Sequence, residues 1–322
     1  MRKPLIALTG IVLFLSQAAG VVAQPYPNKP VRIVVPYATG GSADGLMRPL
    51  AQRLAELLGQ PMVIENRAGA NGIVGSDFVA KSAADGYTLL QGAIGPVAVS
   101  GLMQALPYDP QRDLVPVAFL ASVSNILVVS SASTVKSVQE LVASAKSRPG
   151  YLSYGSTGVG SSNQLAAELF KQAAGVDIIH VPYKGGAPMH VDLIGGHLTM
   201  LFDNVPAALP QIRGGAFRAL AVASLRRHPD LPDVPTMDEA GYPRFETGAW
   251  YGILAPAGTP RPIVEQLNTA IVRALREPAL RDRYISQAFE LNPGSPEQFG
   301  EYIQAELTKW RRVINAAGIK AP

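Results

Sequence analysis

The sequence has no cysteine, and only 16% of its 322 residues are charged. Without cysteine the chain can form neither a disulfide framework nor a lipid-modified cysteine at a processed N-terminus, which excludes a tethered lipoprotein. Its 28 Lys and Arg residues exceed its 24 Asp and Glu residues only slightly, and they are scattered along the chain. Because nucleic-acid-binding proteins concentrate basic residues on one face, we expect no nucleic-acid partner.

Motifs of catalysis and of nucleotide binding are missing as well. The four histidines, at 180, 190, 197 and 228, lack the i,i+4 spacing of a zinc site, and neither a Gly-x-Ser-x-Gly elbow nor a Gly-Lys-Ser/Thr phosphate loop occurs. These absences favour a protein with no metal site, no cofactor and no enzymatic activity. A hydrolase that uses Ser161 with a distant histidine stays open as an alternative.

The N-terminus has the pattern of an export signal. Arg2 and Lys3 precede an apolar run at residues 5–15, and a stretch of small residues ends at Ala23. The apolar run is shorter than the roughly 20 residues that a membrane-spanning helix requires. We therefore predict that residues 1–23 form a signal peptide that is cleaved after Ala23, and that the mature protein lies in the periplasm without a membrane anchor.

The rest of the chain alternates apolar strand-like runs with amphipathic stretches, which is typical of α/β proteins. A strand pattern at 31–35 is followed by leucines at helical spacing from Leu46 to Leu58, and Gly59 is placed to end that helix. Another strand pattern appears at 86–90. The alternation predicts an α/β fold with a largely parallel sheet.

The length predicts two lobes, since a domain takes about 150 residues. A second series of strand and helix patterns begins at Ser124, and a proline-rich linker at 228–243 precedes the return of the chain. We predict lobe 1 from residues 24–123 plus 247–322 and lobe 2 from residues 124–246. Two crossings between lobes predict a hinge and a cleft, which is a common place for a small-molecule site.

The first candidate binding element is the turn at residues 36–44, between a strand and a helix. A helix N-terminus presents unpaired backbone N–H groups and the positive end of the helix dipole to an anion. Gly40 and Gly41 allow a ligand oxygen to approach the backbone, and either Ser42 or Asp44 is predicted to cap the helix. An ionised Asp44 would oppose an anion unless it faces away. A plain turn with a helix cap is the alternative interpretation.

The second candidate element is the turn at residues 154–163, which repeats the arrangement in lobe 2. Its glycines and small hydroxyls supply neutral hydrogen-bond donors, which suit the reversible capture of a carboxylate. The candidate residues in this turn are Ser156, Thr157, Gly158, Gly160, Ser161 and Ser162. The glycine spacing does not match a dinucleotide fingerprint. We expect the two turns to face each other across the cleft.

Two further side chains follow strand patterns at the expected edge of the second sheet. Tyr183 comes after the strand pattern at 178–182, and Asp203 comes after the pattern at 198–202. Ligands of open α/β sheets gather at the carboxyl ends of the strands. Tyr183 is a candidate donor and Asp203 a candidate partner for a hydroxyl or amine of the solute, while a structural role for each stays equally open.

These segments resemble the Bug, or TctC-like, family of tripartite tricarboxylate transporter solute-binding proteins, nearly from end to end. The motifs that carry the resemblance are Tyr26-Pro27-Asn28-Lys29-Pro30, Glu65-Asn66-Arg67-Ala68-Gly69-Ala70-Asn71-Gly72, Asp85-Gly86-Tyr87-Thr88-Leu89, His180-Val181-Pro182-Tyr183-Lys184-Gly185 and Ala255-Pro256-Ala257-Gly258-Thr259-Pro260. The resemblance implies a type II periplasmic binding-protein fold of two Rossmann-like lobes with a hinge and an interlobe cleft.

The resemblance also implies the ligand class and the partners. In such proteins the two turns hold a carboxylate of the dicarboxylate, acidic amino acid or aromatic type, and a membrane transporter receives it. The residues that match are Tyr37, Thr39, Gly41, Ser42, Ser156, Thr157, Ser161 and Ser162, with Asp203 as a candidate for selectivity. Gln164 stands where many relatives have histidine, and Pro49 replaces an aliphatic residue and predicts a kink. We expect a monomer that docks transiently on transporter subunits; a receptor that docks on a sensor protein is the alternative.

Overall fold

The chain forms an α/β protein of two lobes that share one continuous sheet. The structure is a computed structural model that describes residues 26–317. Its strands are β1 (Val31–Val35), β2 (Met62–Asn66), β3 (Thr88–Ala93), β4 (Leu114–Ser130), β5 (Ser153–Ser156), β6 (Ile179–Pro182), β7 (Met200–Asn204), β8 (Phe217–Val222), β9 (Gly248–Pro256) and β10 (Glu290–Leu291). The predicted signal peptide and its cleavage site lie outside the described residues.

The helices cover the faces of this sheet. They are α1 (Ser42–Leu58), α2 (Ile73–Ala80), α3 (Ser100–Met103), α4 (Val138–Ser147), α5 (Ser162–Ala174), α6 (Gly186–Ile194), α7 (Val205–Arg213), α8 (Arg261–Arg276), α9 (Pro278–Ser286) and α10 (Pro296–Ala317). A 3₁₀ turn at Ala70–Gly72 precedes α2, and a π-helical turn at Gly95–Val99 precedes α3. Within residues 26–317, no helix has both the length and the apolar character to cross a bilayer.

The strand order confirms the predicted fold class. The sheet runs β2-β1-β3-β9-β4-β7-β5-β6, and both β8 and β10 also pair with β4. In the first lobe β1 is parallel to β2 and β3, whereas β9 returns from the second lobe and lies antiparallel between β3 and β4. In the second lobe β5 is parallel to β6 and β7. This arrangement is the type II periplasmic binding-protein fold.

Two strands carry the chain between the lobes. The first half of β4 pairs with β9, and its second half pairs with β7 and β8. Where the partners change, Ser124 lies opposite Gly248, and the Asn125 N–H donates to the Thr247 carbonyl at 3.0 Å. We retain the predicted lobe boundaries at 123/124 and 246/247 as a proposal. Close to these residues β4 exchanges its partner β9 for β7 and β8.

Each lobe buries its own apolar residues. In α1 the leucines at 46, 50 and 54 are buried in the core of the first lobe, and Gly59 ends the helix in the left-handed conformation (φ 69°). The second lobe packs its apolar residues on both faces of its sheet. Leu165 of α5 is buried in the first-lobe cluster, so the lobes are in direct apolar contact.

Several details differ from the prediction. The sheet is mixed and not largely parallel, because both crossing strands pair antiparallel with their neighbours. Helix α7 is absent from the prediction because Pro206 and Pro210 hide its pattern; Pro206 lies in the first turn, where its missing N–H would have no intrahelical acceptor. Pro49 lies inside α1, which continues on both sides of it.

Candidate functional site

A cavity lies between the lobes, where the turns after β1 and β5 meet. It comprises about 540 Å³ of space between atoms, including its opening to solvent. Its lining consists of Tyr37, Ala38, Gly41, Ser42, Ala43, Ala93, Ile94, Thr157, Ser161, Ser162, Asn163, Gly185, Gly186, Asp203, Asn204, Ala207, Ala249 and Tyr251. The lining therefore joins small apolar side chains to hydroxyl and amide groups, which suits a small polar solute.

The first wall of the cavity is the N-terminus of α1. Gly41 is the N-cap residue, and no side chain satisfies the first-turn N–H groups by capping. The prediction that Ser42 or Asp44 caps the helix is therefore wrong, because Ser42 is the first helical residue and Asp44 bonds to Gly40. Ser42 Oγ is buried without a hydrogen bond of good geometry, near the hydroxyl of Tyr251. Uncapped N–H groups at a helix start are suited to bind an anion.

Asp44 does not oppose an anion, because its charge is compensated outside the cavity. Arg48 Nε and Nη2 each donate to the Asp44 carboxylate at 2.8 Å, and Asn66 Nδ2 donates at 3.1 Å. The Gly40 N–H adds a fourth bond at 3.2 Å. Burial disfavours the charged carboxylate, but these hydrogen bonds outweigh burial and lower the pKa of Asp44. The carboxylate thus stays ionised, paired, and outside the cavity lining.

The opposite wall is the N-terminus of α5. Ser161 is the N-cap residue, and its Oγ accepts from the Gln164 N–H at 3.3 Å. Gln164 Oε1 accepts from the Gly160 N–H at 2.7 Å, which fixes the preceding loop. Thr157 Oγ1 donates to Asn163 Oδ1 at 3.0 Å. A glutamine at position 164 therefore acts as a neutral acceptor that shapes this turn.

Asn204 connects the start of α5 to the two strands that cross between the lobes. Its Oδ1 accepts from Ser162 Oγ at 3.2 Å and from Asn125 Nδ2 at 3.0 Å, while its Nδ2 donates to the Tyr251 hydroxyl at 3.1 Å. Burial raises the pKa of Tyr251, so this phenol stays neutral and protonated. One amide thus bonds to α5, to the crossing strand β4 and to the returning strand β9.

A buried ion pair borders the cavity on the second-lobe side. Asp203 Oδ2 lies 2.6 Å from His190 Nε2, and Asp203 Oδ1 accepts from the Asn204 N–H at 2.8 Å. Burial disfavours the charged imidazole, but the charge of Asp203 and its hydrogen bond outweigh burial and raise the pKa of His190. A protonated His190 compensates the charge of Asp203.

The structure brings together only part of the predicted site. The predicted residues that line the cavity are Tyr37, Gly41, Ser42, Thr157, Ser161, Ser162 and Asp203. The predicted residues outside the lining are Thr39, Gly40, Asp44, Ser156, Gly158, Gly160 and Tyr183. Tyr183 instead donates its hydroxyl to Asp192 at 2.5 Å.

Ser156 supports the second turn from behind. Its buried Oγ lies 2.6 Å from His180 Nε2 and also accepts from the Gly158 N–H at 3.1 Å. The His180 ring stacks on Tyr154 at 4.9 Å between ring centroids. Because Ser156 does not line the cavity, this serine and histidine stabilise the loop without facing the solute.

The lining residues that sequence reasoning missed are chiefly Asn163, Asn204 and Tyr251. Asn204 follows Asp203 at the end of β7, so the rule that ligands gather at the carboxyl ends of strands could have included it. Tyr251 lies in the middle of β9, and its place at the cavity depends on the return of this strand between β3 and β4. A local pattern does not reveal such a contact.

No Lys, Arg or His side chain is among the lining residues of the described chain. Arg48 bonds to Asp44, and Arg213 Nη2 donates to Asp230 at 3.0 Å. Arg67 pairs with Glu65 and stacks on Phe78. Among residues 26–317 there is likewise no group of histidine and acidic side chains that could hold a metal ion. Polar contacts in the cavity come from neutral donors and from Asp203.

The fold and the interlobe cavity define a two-lobed solute-binding protein. The chain belongs to the TctC family, because the model of the "Tripartite tricarboxylate transporter family receptor" matches residues 46–319. This confirms the resemblance seen in the sequence. The members of this family are periplasmic solute-binding receptors and not enzymes, in agreement with the prediction of a non-enzymatic protein.

Similar proteins support this assignment over nearly the whole chain. The chain is 40% identical to Protein BugT of Bordetella pertussis over 319 residues, which is 98% of each chain. Among solved structures, R. palustris Rpa4515 with adipate gives a TM-score of 0.89 at 40% identity and covers 92% of this chain and 99% of that one. MatC from Rhodopseudomonas palustris with bound malate gives a TM-score of 0.86 at 34% identity and covers 90% and 100% of the two chains.

Proposed function

We propose that this protein captures a small carboxylate between its lobes and delivers it to a tripartite tricarboxylate transporter. The observation that carries the proposal is that two helices, α1 and α5, begin at the same cavity. Each helix start supplies backbone N–H groups and the positive end of a dipole to one anion.

Neutral donors suit a protein that must release its solute. A hydrogen bond to a charged group is worth roughly 1.5–3 kcal/mol. Ser42, Ser161 and Tyr251 supply hydroxyls at the cavity without a fixed positive charge. A buried arginine would instead add a bidentate ion pair that is harder to break. Reversible capture follows from this donor set.

The proposed solute is a dicarboxylate, an acidic amino acid or an aromatic carboxylate. The structures of similar proteins with adipate and with malate support the first class. The apolar part of the lining, which includes Ala38, Ile94 and Ala207, fits the carbon chain of such a solute. Asp203 is the proposed selectivity residue, because a hydroxyl or amine on the solute can donate to it.

Titration calorimetry against a carboxylate panel tests the proposal. The panel contains adipate, malate, glutamate and benzoate, with adipamide as the uncharged control for adipate. At a hundred times its dissociation constant, a true ligand stabilises the protein by about 2.7 kcal/mol, which a thermal shift detects. We expect at least one carboxylate to bind and adipamide to fail. If no carboxylate binds, the proposed ligand class is wrong.

Delivery to a transporter is tested in cells. Deletion of the gene should abolish uptake of the labelled solute that calorimetry identifies. Unchanged uptake together with lost induction of a solute-regulated gene would instead assign the protein to a sensor system.

The cellular location and the oligomeric state of the protein are further parts of the proposal. We propose cleavage after Ala23, release into the periplasm without an anchor, and a monomer in solution. N-terminal sequencing of the exported protein should begin at Gln24, and light scattering should give the mass of one mature chain. A different first residue or a dimer mass would contradict the respective point.

A further inference from the structure

One turn of the first lobe reaches the second lobe at a place away from the cavity lining. The 3₁₀ turn at Ala70–Gly72 follows β2, and its central residue, Asn71, has left-handed backbone angles (φ 50°, ψ 41°). Only 5% of Asn71 is exposed. Among residues other than glycine, asparagine is one of the few that adopt this conformation readily. The backbone therefore aims the Asn71 amide in a fixed direction.

This amide bonds to the turn that precedes α5. Asn71 Nδ2 donates to the Val159 carbonyl at 2.9 Å. The neighbouring Gly158 (φ 122°) lies so close that a Cβ there would be 3.0 Å from Asn71 Cβ. The two lobes thus meet at Asn71 in a close, directional contact, whereas the contact through Leu165 is apolar and non-directional.

The contact acts on the loop that holds the solute. Val159 lies between Thr157 and Ser161, which both line the cavity, while neither Asn71 nor Val159 does. A bond to the Val159 carbonyl can hold this loop in place only while the lobes are closed. If the two turns separate when the cleft opens, the bond breaks and the Asn71 amide is exposed to water.

We propose that Asn71 is a positioning residue that latches the closed lobes. The latch raises the closed population and slows the escape of the solute, without touching the solute. The part that concerns the solute rests on the proposed function; the part that concerns lobe closure does not. The net free energy that one such hydrogen bond contributes corresponds to about a threefold to tenfold change in the ratio of closed to open molecules.

Spin-label distances between the lobes test the latch directly. The chain has no cysteine, so the paired substitutions Gln52→Cys on α1 and Ala143→Cys on α4 give two unique labelling positions. Both residues are exposed, and the two helices belong to different lobes. The distance distribution of the ligand-free protein then separates closed molecules from open ones.

The test variant is Asn71→Gly, because glycine keeps the left-handed backbone and removes only the side chain. The matched control is Gln139→Ala, which removes a similar bond within the second lobe, from Gln139 Nε2 to the Ala240 carbonyl at 3.0 Å. We expect Asn71→Gly to lower the closed-to-open ratio about threefold to tenfold, and Gln139→Ala to leave it unchanged. If the ligand-free protein has no closed population, or if Asn71→Gly does not reduce it, the latch is refuted.

Solute kinetics provide the second readout. With the carboxylate that binds in the calorimetry panel, Asn71→Gly should raise the dissociation rate constant about threefold to tenfold, with little effect from Gln139→Ala. An unchanged dissociation rate constant would refute the role of the latch in retention. If no carboxylate binds at all, the proposed function fails, while the label distances still decide whether Asn71 latches the lobes.

Discussion

His190 Nε2 and Asp203 Oδ2 lie 2.6 Å apart at the border of the cavity, and both side chains are buried. The ring of Phe217 packs edge-on against His190 at 5.2 Å between centroids. The pair is neutral overall when His190 is protonated and carries one negative charge when it is not. The protonation of a residue behind the cavity wall thus sets the charge that an anionic solute meets.

Binding of a carboxylate should weaken as the pH rises through the raised pKa of His190. Below that pKa the protonated imidazole compensates Asp203, and above it the uncompensated carboxylate repels the solute by roughly 1 kcal/mol, about fivefold in affinity. Calorimetry between pH 6 and pH 9 measures this decline. In His190→Gln the decline should disappear, since glutamine can donate a hydrogen bond but does not titrate.

The contribution of His190 to the free energy of unfolding should also decrease as the pH rises. Because the folded-state pKa of His190 is raised, its contribution is fully present below the usual pKa of about 6.5 and is lost as the pH rises through the folded value. Burial lowers the pKa values of His180 and His228, which therefore act in the opposite direction. The quantity to measure is the difference in unfolding free energy between wild type and His190→Gln. A difference that is independent of pH would contradict the assignment.

Removal of the partner of Asp44 should weaken solute binding from outside the cavity. In Arg48→Met the Asp44 carboxylate loses two hydrogen bonds and a compensating charge near the start of α1. We expect an affinity loss of about fivefold for an anionic solute. The control is Arg53→Met on the same helix, which breaks the pair with Glu277. Equal affinity losses in both variants would show that the effect is not local to the cavity.

The hydroxyl of Ser161 should have two separable roles. It caps α5 and also faces the cavity. Ser137 caps α4 in the same lobe, where its Oγ accepts from the Glu140 N–H at 3.1 Å. Ser161→Ala and Ser137→Ala should each lower the free energy of unfolding by about 1 kcal/mol, but only Ser161→Ala should weaken binding in calorimetry. Intact affinity in Ser161→Ala would remove this serine from the site.

Gln164 should determine the shape of the second turn. Gln164→Leu leaves the Gly160 N–H without its acceptor, and an unsatisfied buried donor costs about 1–3 kcal/mol. We expect a lower melting temperature and weaker binding together, because the displaced loop carries Thr157 and Ser161. Gln164→His should restore part of both, since a neutral imidazole can accept the same bond. Unchanged binding in Gln164→Leu would show that the bond from the Gly160 N–H to Gln164 does not determine the conformation of the loop.

The fold class could be predicted from the sequence, and half of the residues predicted for the site line the cavity. Local periodicity was sufficient for α1 and Gly59, because the leucine spacing and the left-handed glycine are local properties. It was insufficient for the 17-residue strand β4 and for the antiparallel insertion of β9, since these depend on pairing between distant segments. Helix α7 was missed for a different reason, because proline in its interior contradicts the usual pattern.

The candidate site shows the same division. Sequence reasoning found the residues of the two turns, where glycine and hydroxyl patterns are continuous in the chain. It did not distinguish Ser161, which lines the cavity, from Ser156, which supports the loop behind it. Tyr251 and Asn204 meet only because β9, β4 and β7 are neighbours in the sheet where the chain crosses between the lobes. Their bond at 3.1 Å joins residues 47 positions apart in the sequence.

The most direct test is a crystal structure of the mature protein with the carboxylate that binds most tightly in the calorimetry panel. We predict that one carboxylate group lies between the starts of α1 and α5, with its oxygens about 3 Å from backbone N–H groups or hydroxyls of both turns, directly or through one water. A solute that binds outside this cavity, or whose carboxylate contacts only one lobe, would contradict the proposed capture of the anion between two helix starts.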